Sequence, residues 1–97
     1  MSLELLKGMK TIYKYSIPVT QGSFQLDLPA GAKILTAQLQ KGKPQMWVLV
    51  DTNMPAVSRE FCWIGTGAPV QEAGLTYIST LLLDADTKVV HLFEKEL

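Results

Sequence analysis

This 97-residue chain contains one cysteine and one histidine, the two residue types that most often carry metal or nucleophilic chemistry. With Cys62 as the only cysteine, no intrachain disulfide can form, so a small secreted scaffold held together by disulfides is excluded. A closed zinc site needs about four ligands, and Cys62 with His91 supplies too few. We therefore expect no metal and no cofactor, and the folded state must be stabilised by its core.

Net charge and long apolar runs are also missing. The chain has 9 basic and 9 acidic residues and a formal charge of zero, which gives no electrostatic signature for binding nucleic acid or an anionic membrane. Proline, glycine or a polar residue interrupts each uncharged run before it reaches the ~18–20 apolar residues that a membrane-spanning helix needs. The N-terminal segment has too short an apolar core for a signal peptide, so we expect a cytoplasmic protein that does not enter a membrane.

Unbroken segments long enough for an amphipathic helix are absent after Met9, because proline and glycine recur at nearly even intervals. Short segments between regular turn signals are typical of all-β proteins. The sequence predicts an all-β fold, a small antiparallel β-sandwich or partly open barrel of about seven strands. The predicted strands are residues 10–17, 23–28, 34–40, 45–51, 61–65, 75–83 and 88–94.

Two of the predicted strands alternate clearly between apolar and polar residues. In residues 23–28, Phe24 and Leu28 share one face, and polar residues take the other. In residues 34–40, the same alternation predicts that Leu35, Ala37 and Leu39 face inward. The short polar link that follows, residues 41–44, predicts a hairpin to the next strand.

The later strands are apolar on both faces, which is the most informative pattern in the chain. A strand in a two-layer sandwich buries one face, so its other face should be polar. A barrel or a covering loop, for which Thr52–Glu60 is the candidate, could hide the second face, as could a second copy of the protein. We favour a homo-oligomer, because apolar area left in water costs ~25 cal/mol per Å². The predicted interface residues are Trp47, Leu49, Ile64, Ile78 and Leu82.

No residue pattern identifies a catalytic site. Cys62 and His91 are the weak candidates for a ligand site, although His91 lies mid-strand among apolar residues and no nucleophile motif surrounds Cys62. The segment Asp84–Asp86 lacks the glycine and the distant glutamate of a calcium loop, so it predicts a hairpin turn. The pattern leans against an enzyme without excluding one.

Binding of single-stranded nucleic acid would combine stacking aromatic residues with a basic groove. The chain has aromatic residues at strand spacing, and lysines cluster in the predicted hairpin at Lys41 and Lys43. Two lysines are too few for such a groove, so the sequence alone disfavours nucleic acid as a partner.

Five segments between Met9 and Glu94 have a distinctive combination of residues: Met9–Tyr15, Leu28–Leu35, Gln45–Asp51, Phe61–Gly67 and His91–Glu94. Together they resemble a family of short uncharacterised proteins of phages, prophages and their bacterial hosts. The resemblance implies a compact β domain of unassigned function, with no catalytic residue to transfer. It also implies that residues 1–8 are an extension outside a single β domain of residues 9–97, in a protein of a bacterial or phage-infected cell.

Together these observations favour a non-enzymatic module that self-associates or binds a protein partner. The alternatives are a small-molecule binder or minor enzyme around Cys62 and His91, and an accessory protein that binds nucleic acid.

Overall fold

The computed structural model describes residues 9–96, which form seven β-strands and no helix. The expectation that residues 1–8 are an extension concerns a segment outside the described residues. The strands are β1 (Lys10–Ser16), β2 (Gly22–Pro29), β3 (Lys33–Gln40), β4 (Lys43–Asp51), β5 (Ala56–Gly65), β6 (Leu75–Leu83) and β7 (Lys88–Lys95).

The strands form two antiparallel sheets. The first sheet has three strands in the order β1-β4-β3, and the second has four in the order β2-β5-β7-β6. Neither sheet closes into a barrel within residues 9–96, so the predicted all-β fold is confirmed in its sandwich form.

The core lies between the two sheets and is built from alternating positions of their central strands. Met46, Val48 and Val50 of β4 are almost fully buried on the inner face of the first sheet. Phe61 and Leu92 are fully buried in the second sheet. Each such side chain stabilises the fold by ~1.5–3 kcal/mol relative to an exposed position.

The prediction that Leu35 faces inward is wrong, whereas Leu39 does lie on the same face as the buried Ala37. The register of β3 against β4 shifts between Ile34 and Thr36, so Ile34 packs against the core while Leu35 is 44% exposed. An extra residue in one strand reverses the alternation beyond it, and the sequence pattern alone does not reveal the bulge. Leu39 lies near the end of β3 and is 38% exposed, whereas Ala37 is buried as expected.

Both predicted hairpins are present. Lys41 and Gly42 have φ values of 52° and 76°, which is the two-residue type I′ geometry that matches the twist of paired strands. The turn between β6 and β7 contains three left-handed residues in a row, Asp84, Ala85 and Asp86. None of the three is glycine, so this turn is strained.

The prediction that Thr52–Glu60 is a covering loop is wrong. Strand β5 begins at Ala56, which pairs with Pro29 of β2, and the pairing continues to Glu60 opposite Gln25. The first half of β5 has no alternation of apolar and polar residues, since residues 56–58 are all exposed and residues 58–60 are all polar. A different loop covers part of the second sheet: Pro69, Gln71 and Glu72 form one depression with Cys62 and Ile64.

The two sheets meet along β3 and β6, the edge strands of the first and second sheet. There the hydroxyl of Ser79 accepts a hydrogen bond of 2.9 Å from the backbone N–H of Ala37. Ser79 is a buried polar residue and lies within 3.4 Å of the Thr36 hydroxyl. The Ser79 side chain thus satisfies a backbone donor on the outer edge of β3, the edge that faces away from β4.

Candidate functional site

The structure divides the five predicted interface residues among three environments. Trp47 and Leu49 are half-buried on the outer face of the first sheet, whereas Met46 and Val48 are buried on its inner face. Ile64 and Leu82 lie on the outer face of the second sheet. Ile78 packs against the core, because the register of β6 shifts between Tyr77 and Ser79. No single surface can therefore contain all five side chains.

Ile64 and Leu82 belong to a continuous patch formed by β5, β7 and β6. Register places His91 between Ile64 and Thr80, and it pairs Tyr77 with Phe93 and Leu82 with Val89. None of the side chains in this patch is an acid, a lysine or an arginine. We name it the β6–β7 face: Ile64, Tyr77, Thr80, Leu82, Val89, His91 and Phe93.

The β6–β7 face is apolar and open to solvent. Tyr77 is 56% exposed and Leu82 is 46% exposed, whereas Ile64, Val89 and Phe93 are half-buried. Tyr77 packs edge-on against Phe93, with ring centroids 5.7 Å apart and an interplanar angle of 69°. This aromatic pair forms one end of the patch and holds it in a fixed shape.

The imidazole of His91 is held from both sides by hydroxyl groups. Its Nε2 lies 2.7 Å from the Thr66 hydroxyl, and its Nδ1 lies 2.8 Å from the Thr80 hydroxyl. The Thr80 hydroxyl also lies 2.6 Å from that of Tyr77. The chain of contacts ties the loop after β5 to the middle of the β6–β7 face.

These contacts do not make a hydrolytic site. A nucleophile and base do lie within reach at Thr66 and His91, but the third partner of the imidazole is the Thr80 hydroxyl instead of a carboxylate. Five surface depressions of about 170–560 Å³ within residues 9–96 are lined by residues other than His91. The arrangement orders a loop and fixes the imidazole.

Cys62 lies on the same sheet as His91 but is covered. The residue is 6% exposed, beneath the loop that contains Pro69 and Glu72. Burial raises the pKa of the Cys62 thiol; the positive charge of Lys95 opposes that effect, and Glu72 and Glu60 reinforce it. A buried, protonated thiol is a poor nucleophile, so Cys62 behaves as a small core residue.

No three His, Cys, Asp or Glu side chains converge as a possible metal site in residues 9–96. Within that same span, no helix is long and apolar enough to cross a membrane.

Arg59, the only arginine, joins both sheets of the sandwich. Its guanidinium donates two hydrogen bonds to the Glu94 carboxylate, at 2.6 and 2.7 Å, and a third of 2.6 Å to the Ala32 carbonyl before β3. The hydrogen bonds to Glu94 raise the pKa of Arg59 against the opposing effect of burial. Planar, bidentate pairing of this kind fixes geometry as well as adding stability.

The outer face of the first sheet is basic, which the sequence analysis missed. Cross-strand partners share a face of a sheet, so the pairs Lys14–Trp47 and Lys33–Leu49 place both lysines beside the half-buried apolar residues of β4. Lys10 and Lys43 lie on the same face by the same register. With Lys41 in the turn, these residues form what we name the lysine face: Lys10, Lys14, Lys33, Lys41, Lys43, Trp47 and Leu49.

The zero net charge conceals a strong separation of charge. The three strands of the first sheet and the β3–β4 turn contain five lysines and one acid, Asp51, which is a net charge of +4. The remainder of residues 9–96 contains three cations and seven acids, a net charge of −4. The two net charges cancel in the overall composition, and only the strand order shows that they lie in different parts of the structure.

Comparison with known proteins places the chain in a family without assigning an activity. A family model described as "Domain of unknown function (DUF7352)" matches residues 9–97. No curated protein and no solved structure matches the chain significantly. The resemblance to an uncharacterised family is thereby confirmed at the level of the domain: the chain belongs to the DUF7352 family of domains of unknown function.

Proposed function

We propose that this protein is a non-enzymatic interaction module that forms a homodimer through the β6–β7 face. The observation that carries the proposal is a solvent-facing sheet surface with Tyr77 56% and Leu82 46% exposed and no charged side chain within it. Apolar area of this kind is stabilised when another surface covers it.

A second copy of the chain is the occupant that the charges favour. In a twofold dimer each patch meets its own copy, so a patch whose charges are all of one sign is repelled by that copy. The β6–β7 face has none and meets its copy without repulsion. The lysine face, with net charge +4 in its sheet, would repel its copy, so Trp47 and Leu49 do not belong to the proposed dimer interface.

The size of the face predicts a weak dimer. Three strands spaced by ~4.8 Å, each with ~9 residues at ~3.3 Å, make a surface of roughly 14 by 30 Å. That is about 400 Å² on each copy, well below the ~800 Å² per partner of a standard interface. We therefore expect dissociation in the micromolar range.

Sedimentation velocity from 5 to 500 µM tests the proposal. The wild type should shift from monomer to dimer over this range. Leu82→Lys, which introduces a charge into the apolar patch of each copy, should remain monomeric. Ile12→Lys is the matched control, because Ile12 is 55% exposed on the other sheet and its substitution should leave dimerisation unchanged.

A wild type that stays monomeric at 500 µM would overturn the proposal. So would a dimer that Ile12→Lys abolishes and Leu82→Lys preserves. Thermal melts of both variants confirm that each is folded, which is expected since both positions are half-exposed or more.

We further propose that the protein acts in the cytoplasm of a bacterial or phage-infected cell. The resemblance of Met9–Glu94 to phage and prophage proteins supports this origin, and the lone buried thiol of Cys62 suits a reducing compartment. Recovery of the tagged protein in the periplasmic fraction of its host, instead of the cytoplasmic one, would contradict it.

A further inference from the structure

The lysine face contains a basic depression at one end of the first sheet. A cavity of about 300 Å³ is lined by three lysines and two glutamines: Lys14, Gln40, Lys41, Lys43 and Gln45. The ammonium of Lys14 reaches across β4 and donates a hydrogen bond of 2.8 Å to the Gln40 side chain. That bond leaves further N–H donors of Lys14 available to solvent.

The lysines of this face form no ion pair within residues 9–96, although the register places the carboxylate residue Asp51 beside Lys10. The ion pairs found in residues 9–96 join Arg59 and Lys95 to glutamates of the second sheet and involve no lysine of the first. The one acid of the first sheet, Asp51, accepts a hydrogen bond from the backbone N–H of Asn53. The positive charge is therefore available to an external anion.

Trp47 provides a flat aromatic surface beside these charges. Its register partners are Lys14 on β1 and Thr36 on β3, so the indole lies at the middle of the three-stranded face. It is half-buried, whereas Trp63 is buried and donates its indole N–H to the Pro18 carbonyl. A partly accessible aromatic ring among lysines is the combination that binds unpaired bases and their phosphates.

We propose that the lysine face binds single-stranded nucleic acid, with the phosphates on the lysines and a base stacked on Trp47. A sheet face offers a flat platform, and the bases of a duplex are not free to stack on a side chain. This function is separate from dimerisation, because the two faces lie on opposite sides of the sandwich. A dimer through the β6–β7 face leaves both lysine faces exposed.

The number of lysines sets the expected salt dependence. Release of counterions from a single strand gives a slope of about −0.7 for each phosphate neutralised in a plot of log affinity against log salt. Engagement of about four lysines predicts a slope of about −3. Removal of two lysines should reduce it to about −1.5.

The test is a titration with a fifteen-residue oligothymidylate, followed by fluorescence anisotropy of the labelled DNA and by tryptophan emission. At 50 mM salt we expect binding with quenching of the Trp47 emission, since Trp63 is enclosed. The double variant Lys14→Gln/Lys43→Gln should bind at least about tenfold more weakly, with the shallower slope. Lys88→Gln, on the second sheet, is the matched control and should bind like the wild type.

Trp47→Leu tests the stacking. Loss of one base–aromatic stack should weaken binding by about 5- to 150-fold and abolish the quenching, with the salt slope kept at about −3. A duplex of the same length and a sulfated polysaccharide complete the comparison. Equal affinity for these polyanions without quenching would overturn single-strand recognition, as would absence of binding at 50 mM salt or an effect of Lys88→Gln equal to that of the double variant.

Discussion

Replacement of Ser79 by alanine should be one of the most damaging small substitutions in this protein. Ser79 lies at the seam between the sheets, where its hydroxyl accepts the backbone N–H of Ala37 at 2.9 Å. Ala37 is 2% exposed and Ser79 is 8% exposed, so water does not readily replace the lost hydroxyl. The substitution removes one oxygen atom and leaves a buried amide without an acceptor.

The expected cost follows from that unsatisfied donor. A buried polar group without a partner destabilises a protein by about 1–3 kcal/mol. For a domain of this size, each kcal/mol lowers the melting temperature by roughly 4–8 °C. Ser79→Ala should therefore lower Tm by about 4–24 °C.

Thermal unfolding followed by circular dichroism, together with urea denaturation, measures this loss. Ser58→Ala is the matched control, because Ser58 is an exposed serine within a strand. The substitution removes the same hydroxyl group but leaves no buried partner unsatisfied. Ser58→Ala should change Tm by no more than about 2–4 °C, which corresponds to ~0.5 kcal/mol. Equal effects of the two substitutions would refute the role assigned to the Ser79 hydroxyl.

Further expectations concern the strained turn, the bidentate ion pair and alkaline pH. Ala85→Gly should stabilise the protein by about 1 kcal/mol in urea denaturation, because Ala85 has a φ of 54° that glycine adopts without strain; a destabilised variant would contradict this. Arg59→Lys should lower the free energy of unfolding by about 1–3 kcal/mol, since lysine cannot pair with Glu94 in the bidentate way, and an unchanged Tm would show that the pair is dispensable. Burial raises the pKa of the Cys62 thiol, and the hydrogen bond to a glutamate raises the pKa of Lys95. The contribution of each group to the free energy of unfolding is complete below its pKa in the unfolded chain, about 8.5 for cysteine and 10.4 for lysine. It is lost as the pH rises through the higher pKa of the folded protein. The urea concentration at the unfolding midpoint should thus fall above about pH 8.5. Cys62→Ala should remove the part of that fall that begins at the lowest pH. A midpoint that rises with pH would contradict the expected direction.

Regular alternation made the strands predictable. In β2 the buried Phe24 and Leu28 sit at the positions that the pattern assigned to the core. Turn residues marked the boundaries, and the β3–β4 hairpin followed from its short polar link. These features are local, so a single sequence contains the information that defines them.

Local pattern failed where the chain departs from strict alternation. Bulges near Leu35 and Ile78 shift the side chains by one position, so Leu35 became exposed and Ile78 packed against the core. Nothing in the residue types marks an extra residue in a strand. The polar half of β5 was taken for a loop because Arg59 occupies an inner position with an ion pair that sequence does not show.

The candidate surfaces depend on strand order, which the sequence does not specify. Lys14 and Lys43 lie far apart in the chain and meet only because β1 pairs with β4. The same topology separates Trp47 and Leu82 onto opposite faces. Composition could report the total charge of zero but not its division between the sheets.

The proposed dimer is tested most directly by mapping its interface at single-residue resolution. Proton–nitrogen correlation spectra recorded from 10 µM to 1 mM should show concentration-dependent shifts confined to the amides around Tyr77, Leu82 and Phe93. The amides around Trp47 and Leu49 should not move. Spectra that are identical at all concentrations, or shifts centred on Trp47 and Leu49, would contradict self-association through the charge-free β6–β7 face.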